Sequence, residues 1–193
     1  MKQATLIAPE GWTVLKPAEQ NAFIQAEFGQ ELGRNILAVA RKNGAQDVFA
    51  LLEYRQTGYI ENPSLQQINE QVLIQKANED LQMMNQENGF SEAEKIRWKG
   101  FVLKPRFDEQ HYVLDYGVEL RFGDLPAVNL YRMQLLRDGV LILTLVGMSQ
   151  DQLNFNGWQY RYDSAWNYRQ YNPNRDRKAE GTLANLMLMN RFI

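Results

Sequence analysis

Apolar and polar residues alternate between positions 111 and 122, which predicts a half-buried antiparallel strand. One face of this strand would carry Tyr112, Leu114, Tyr116, Val118, Leu120 and Phe122. The other face would carry His111, Val113, Asp115, Gly117, Glu119 and Arg121. The run from Val140 to Val146 is apolar at both alternating sets of positions, so we expect a central strand covered by a helix on at least one side.

Short turn motifs join several of the predicted strands into hairpins. Asn43-Gly44 separates the runs 36–40 and 48–54, and Asp138-Gly139 separates the runs 128–136 and 140–146. Pro9-Glu10-Gly11 lies between two shorter runs, which we expect to pair with each other. A further extended segment, 95–103, is expected to be broken by Pro105.

Helical periodicity appears in three places. A first helix is predicted from Pro17 to about residue 32, and a long one over 65–88 with Ser64 as its N-cap. A terminal helix is predicted from Ala179 towards Phe192. Because hairpins outnumber strand–helix–strand patterns, we predict an α+β fold in a single domain, 1–193. Its antiparallel sheet would pack against the long central helix and the C-terminal helix.

Composition excludes several classes of chemistry. The 193 residues include no Cys and one His, which excludes disulfides, thiol nucleophiles and cysteine-ligated metals. A net charge of −2 gives no general attraction to nucleic acid, and no stretch of 18 apolar residues predicts a membrane span. No phosphate-binding glycine loop or nucleophilic-serine motif is present, so we expect neither a cofactor nor a metal.

Ordered short motifs along most of the chain resemble one bacterial family. They are Ala4-Thr5-Leu6-Ile7-Ala8-Pro9-Glu10-Gly11-Trp12, Leu52-Glu53-Tyr54, Thr57-Gly58-Tyr59-Ile60, Ala77-Asn78-Glu79, Gly89-Phe90, Trp98, Pro105-Arg106-Phe107-Asp108, Val128-Asn129-Leu130-Tyr131, Leu136-Arg137-Asp138-Gly139-Val140-Leu141, Tyr162 and Asp176-Arg177-Lys178-Ala179. The chain is similar to the soluble part of uncharacterised membrane-anchored proteins that contain a domain of unknown function.

The resemblance implies a location rather than a reaction. Members of that family have an N-terminal signal sequence and C-terminal membrane helices, and the sequence shows neither. An acidic cluster typical of the family is reduced here to Glu61-Asn62-Pro63-Ser64. The implied place is the periplasmic face of the bacterial inner membrane, with an anchor in the full-length family. A cytoplasmic location is the alternative.

The polar face of the strand 111–122 is one candidate site. His111, Asp115 and Glu119 on that face form a candidate catalytic set, as in a carboxylate-dependent hydrolase acting on an envelope substrate. A solvated strand face with mixed charges is the favoured interpretation, because no second histidine is available for a metal site.

Aromatic residues concentrate between positions 155 and 171. Trp158, Tyr160, Tyr162 and Trp166, together with Arg161, would suit a sugar, a base or a peptide. The favoured interpretation is that Trp158, Tyr160 and Tyr162 alternate into a strand or pack the terminal helix against the sheet. The function favoured is a non-catalytic envelope interaction module that binds a protein or cell-wall partner, and the hydrolase is the alternative.

Overall fold

Most of the chain forms strands. The computed structural model describes residues 4–28 and 35–188. Their elements are β1 (Ala4–Ile7), β2 (Trp12–Val14), α1 (Pro17–Phe28), β3 (Asn35–Lys42), β4 (Phe49–Arg55), α2 (Glu70–Glu87), β5 (Ile96–Asp108), β6 (Val113–Phe122), β7 (Leu125–Leu135), β8 (Val140–Val146), β9 (Gln159–Tyr162) and α3 (Leu183–Leu188).

A seven-stranded antiparallel sheet forms the middle layer. Its strand order is β2-β3-β4-β8-β7-β6-β5, so β8 occupies the centre. The hairpins β3–β4 and β7–β8 confirm the two turns predicted from Asn-Gly and Asp-Gly. The predicted α+β class is also confirmed, and hairpins supply most of the strand pairs.

Helices cover one face of the sheet, called here the helical face. Apolar residues of α2 and α3 join Val140 and Ile142 of β8 and alternate residues of β6 in one buried cluster. Phe23 of α1 packs with Val39, Phe49 and Leu51 in a second, smaller cluster. The long helix α2 lies against the edge strand β5 rather than over the middle of the sheet.

A two-stranded ribbon made of β1 and β9 covers the opposite face, called here the ribbon face. Leu6 of β1 and Trp158, next to β9, belong to the same buried cluster as Leu141, Leu143 and Leu145 of β8. The predicted pairing of β1 with β2 is therefore wrong. β1 pairs with β9, which lies about 155 positions further along the chain, in the register Ala4↔Tyr162. β2 pairs with β3.

Two further boundaries differ from those predicted. β5 continues through Pro105, because a register irregularity between Leu103 and Arg106 accommodates the proline on an edge strand. β6 begins at Val113, so His111 lies in the turn before the strand and not on its face. The alternation over the rest of β6 is as predicted, with Leu114 and Tyr116 buried on the helical face.

Helices α2 and α3 begin later than their sequence pattern suggests, whereas α1 begins at Pro17 as predicted. Ser64 caps a short 3₁₀ turn, Leu65–Gln67, and Asn69 caps α2 by accepting a hydrogen bond from the Val72 amide at 3.1 Å. α3 begins at Leu183, because the segment 177–179 hydrogen-bonds to Tyr59 instead of turning into a helix. The predicted helix ends at 29–33 and at Phe192 lie outside the described residues.

Two asparagines of α2 hydrogen-bond the outer edge of β5. Asn85 accepts from the Ile96 amide at 3.0 Å and donates to the Ile96 carbonyl at 2.9 Å. Two helical turns earlier, Asn78 accepts from the Trp98 amide and donates to the Trp98 carbonyl, both at 2.9 Å. The side-chain amides thus replace a neighbouring strand, which satisfies and protects part of an exposed sheet edge.

Asn85→Ala is expected to lower the free energy of unfolding by about 1–3 kcal/mol, because the half-buried backbone amide and carbonyl of Ile96 lose their partners. Gln86→Ala, an exposed neighbour on the same helix, is the matched control and should leave stability nearly unchanged. Urea unfolding measures both. Equal midpoints for the two variants would show that the asparagine contacts do not hold the edge.

Candidate functional site

A polar cleft of about 330 Å³ opens at one end of the ribbon face. It lies beside the β5–β6 turn and is bounded by strands β5, β6 and β7 and by the ribbon. The residues lining it are Arg106, Asp108, His111, Val113, Asp115, Arg132 and Tyr160. The cleft therefore gathers four charged side chains, the single histidine and a tyrosine from β5, the β5–β6 turn, β6, β7 and β9.

The floor of the cleft is an ion pair across β6 and β7. Asp115 and Arg132 face each other in the strand register, and the guanidinium donates two hydrogen bonds to the carboxylate, at 2.8 and 2.7 Å. The hydrogen bond from Arg132 to Asp115 raises the pKa of that arginine above its ordinary value. The guanidinium carbon also lies 4.5 Å from the ring centroid of Phe155, so the pair is held from two sides.

One rim of the cleft is a second, more exposed pair. Asp108 accepts hydrogen bonds from the backbone amides of Gln110 and His111, at 2.9 and 3.0 Å. Its other oxygen lies 2.8 Å from Nδ1 of His111. The side-chain hydrogen bond from His111, followed by the backbone one, lowers the pKa of Asp108. Nε2 of the imidazole is then the nitrogen left for a ligand.

The turn that carries His111 is held by contacts outside the cleft. Tyr112 adopts a left-handed backbone with φ of 57°, which a bulky residue rarely does. The nearly buried amide of Gln134 donates to the carbonyls of His111 and Tyr112, at 2.8 and 3.3 Å. The Leu135 amide adds a 2.9 Å hydrogen bond to the Tyr112 carbonyl. These bonds fix the position of the turn.

A column of four stacked tyrosines supports the same turn. Ring centroids are 4.0 Å apart for Tyr112 and Tyr168, 4.5 Å for Tyr168 and Tyr59, and 3.9 Å for Tyr59 and Tyr171. Arg169 lies 5.6 Å from the centroid of Tyr112 and donates to the carbonyl of Gln110 at 3.2 Å. The distant segment 168–171 thereby fixes the β5–β6 turn.

The structure brings together only part of the predicted catalytic set. His111 and Asp115 both line the cleft. Glu119 lies four residues further along β6, about 14 Å away at the rise of a strand. There it forms an ion pair with Arg121 at 2.8 Å.

The predicted aromatic ligand residues are mostly packed into the fold. Trp158 is 6% exposed and meets Trp12 edge to face at 4.8 Å. Tyr162 and Trp166 are half-buried and stack at 6.2 Å, and Arg161 is exposed on β9. Of the predicted binding residues, Tyr160 is the one that lines the cleft.

Comparison with known proteins assigns this chain to a family. A family model described as a protein of unknown function, DUF2167, matches residues 1–190. The chain belongs to the DUF2167 family. This confirms the domain of unknown function that the sequence motifs resemble.

The comparisons with curated proteins and with solved structures add no further family. No curated protein matches this DUF2167 chain significantly. Among solved structures it is similar to the solution structure of cyanobacterial PsbP (CyanoP) from Synechocystis sp. PCC 6803. That similarity has 9% sequence identity and a TM-score of 0.45, and covers 83% of this chain and 94% of that one.

No local sequence pattern of this DUF2167 chain marks Arg106, Arg132 or Gln134 as site residues. Arg132 gains its role from the β6–β7 register, and Gln134 from a turn more than twenty residues away. Arg106 and Asp108 do lie in the Pro-Arg-Phe-Asp motif that carried part of the family resemblance. That motif was the available signal for one wall of the cleft.

A metal site and a second depression have less support in the described residues. Among the described residues, no group of three His, Asp or Glu could hold a metal ion. A wider depression of about 640 Å³ lies between α2, α3 and the loop around Thr57, and it contains Asp80, Arg177 and Glu180. Because its lining lacks paired charges, histidine and tyrosine within the described chain, the polar cleft is the better defined site. No helix within residues 4–28 or 35–188 is long and apolar enough to cross a membrane.

Asp108→Asn is expected to change how stability depends on pH. The pKa of Asp108 is lower in the folded chain than its ordinary value of 3.8, so its ionised form stabilises the fold at pH values above that range. This contribution is lost as pH falls through the lowered pKa. Thermal melts should therefore show wild type above Asp108→Asn at pH 7, with the gap closing on acidification. A gap that persists unchanged at pH 2 would contradict the pairing.

Trp158→Ala is expected to lower the free energy of unfolding by about 3–5 kcal/mol, because it empties a buried site between the ribbon and the sheet. Gln159→Ala, at an exposed neighbouring position, serves as the control. Chemical denaturation followed by circular dichroism measures both. A Trp158 variant as stable as the control would overturn the packing role and support a binding role for that ring.

Proposed function

We propose that this protein is a non-catalytic interaction module of the bacterial envelope, and that it binds its partner through the polar cleft. In this proposal the chain is the soluble, periplasmic part of a membrane-anchored protein, and its partner is a protein or a cell-wall component. The motif resemblance supports the location. The geometry of the cleft supports the binding role.

The observation that carries the proposal is the state of the charges in the cleft. Asp115 is bound by Arg132, and Asp108 by His111. Arg106 is exposed, and its guanidinium has no hydrogen bond or ion pair with any residue in the described part of the chain. A site with committed carboxylates and one unpaired guanidinium is suited to recognising a ligand group of negative charge.

The hydrolase alternative has less support from the same geometry. A carboxylic acid that donates a proton near neutral pH needs a raised pKa, whereas the pKa of Asp108 is lowered. Glu119 is paired with Arg121 and is too far along the strand to work with His111. We therefore base the proposal on binding.

Arg106→Gln is expected to reduce binding to an isolated bacterial envelope fraction at least tenfold, since it removes the unpaired charge without removing a contact within the described chain. Lys104→Gln is the matched control. It changes the same charge on the same strand, and its exposed ammonium has only a 3.8 Å ion pair with Glu70. Co-sedimentation with the envelope fraction over a range of protein concentrations measures both.

The control variant Lys104→Gln should be retained on the envelope fraction as well as wild type. Equal retention of wild type and Arg106→Gln would overturn the role of the cleft. Loss of retention in Arg161→Gln, with Arg106→Gln unaffected, would move the binding surface to the aromatic end of the chain.

A further inference from the structure

The arrangement of donors in the cleft indicates the kind of anion it would take. In the strand register Arg106 lies opposite Asp115, whose carboxylate already accepts two hydrogen bonds from Arg132. The guanidinium of Arg106 has no hydrogen bond or ion pair with the described residues, so its planar fork of N–H donors is free. Such a fork matches the two oxygens of a planar carboxylate or two oxygens of a phosphate.

The charge count separates a singly charged carboxylate from a doubly charged phosphate. Two guanidinium groups and the carboxylates of Asp108 and Asp115 give the cleft a formal charge of zero, or +1 when His111 is protonated. A singly charged anion brings the protonated cleft back to zero. A dianion would leave net negative charge beside two fixed carboxylates, which is unfavourable at such distances.

The other lining residues suit a small group attached to that anion. Burial raises the pKa of the Tyr160 hydroxyl, so this hydroxyl stays neutral and can donate a hydrogen bond. The side chain of Val113 and the ring of Tyr160 offer apolar contact. A volume of about 330 Å³ is at the lower end of the range for ligand sites, which fits a small acid or the end of a chain.

We propose that the cleft binds the carboxylate of a small acid or of a peptide C-terminus. Arg106 holds it through two parallel hydrogen bonds, with the Tyr160 hydroxyl, and Nε2 of His111 in the imidazolium form, as further donors and Val113 beside the adjoining apolar group. This inference rests on the proposed function, because it names the chemical group that the binding module recognises.

Two-dimensional NMR titration of the whole chain tests the inference with defined probes. N-acetylalanine carries the carboxylate and a methyl group, and its methyl ester has nearly the same shape without the charge. We expect saturable shifts around Arg106, His111 and Tyr160 with the acid and none with the ester. Arg106→Gln should weaken binding at least tenfold, Arg106→Lys should restore it only in part, and Lys104→Gln should bind like wild type.

A third probe, trialanine with a free C-terminus, distinguishes the two sources of the carboxylate. Tighter binding of trialanine than of N-acetylalanine would support a peptide end, and equal binding would support a small acid. Ester binding as strong as acid binding, or equal weakening by Lys104→Gln and Arg106→Gln, would overturn the carboxylate assignment.

Inorganic phosphate separates failure of this inference from failure of the proposed function. If phosphate binds more tightly than N-acetylalanine, and Arg106→Gln abolishes that binding, the carboxylate assignment is wrong and the binding role of the cleft stands. The same holds if no probe shifts the cleft while retention on the envelope fraction still depends on Arg106. If that retention is also independent of Arg106, both proposals fail.

Discussion

The central strand β8 has no polar face, and the rest of the structure follows from this constraint. Residues Val140 to Leu145 are all buried, so both faces of the sheet need a cover. Helices supply it on one face, where α2 and α3 join the same cluster as Ile142. On the other face the cover is the β1–β9 ribbon with the aromatic segment that precedes it. The ribbon has only four residues in each strand, so it leaves the far end of β6 and β7 open, and the polar cleft forms there.

The ribbon covers the ends of β6 and β7 beside the cleft only in part, and charged side chains lie there. Strands β6 and β7 carry polar side chains at the edge of the apolar cover, where Asp115 and Arg132 form a half-buried ion pair beside Phe155 and Tyr160. Pairing across the register satisfies both charges and keeps the floor of the cleft rigid. The guanidinium of Arg106, on the next strand, forms no ion pair with the described residues. This partly covered end thus holds both the ion-paired floor of the cleft and the unpaired guanidinium of Arg106.

Local patterns predicted much of the sheet but little of what assembles the site. The β3–β4 and β7–β8 hairpins follow from Asn-Gly and Asp-Gly turns, and the faces of β6 follow from strict alternation. The partner of β1 could not be read in this way, because Pro9-Glu10-Gly11 signals a turn without deciding which strand pairs with which. Tyr168 and Gln134 also reach the β5–β6 turn only after the chain has folded. His111 and Asp115 were therefore found as candidates, while the residues that position them were not.

The β5–β6 turn shows why this end of the molecule is suited to binding. Holding Tyr112 at φ of 57° costs on the order of 1–3 kcal/mol, and such a conformation persists only where surrounding contacts over-determine it. Here those contacts are the Gln134 amide and the stacked ring of Tyr168, and neither side chain lines the cleft. Because the turn is fixed before any ligand arrives, His111 and Asp108 need lose little freedom on binding. A small cleft with few donors gains most of its affinity from such pre-organisation, since it cannot bury much ligand surface.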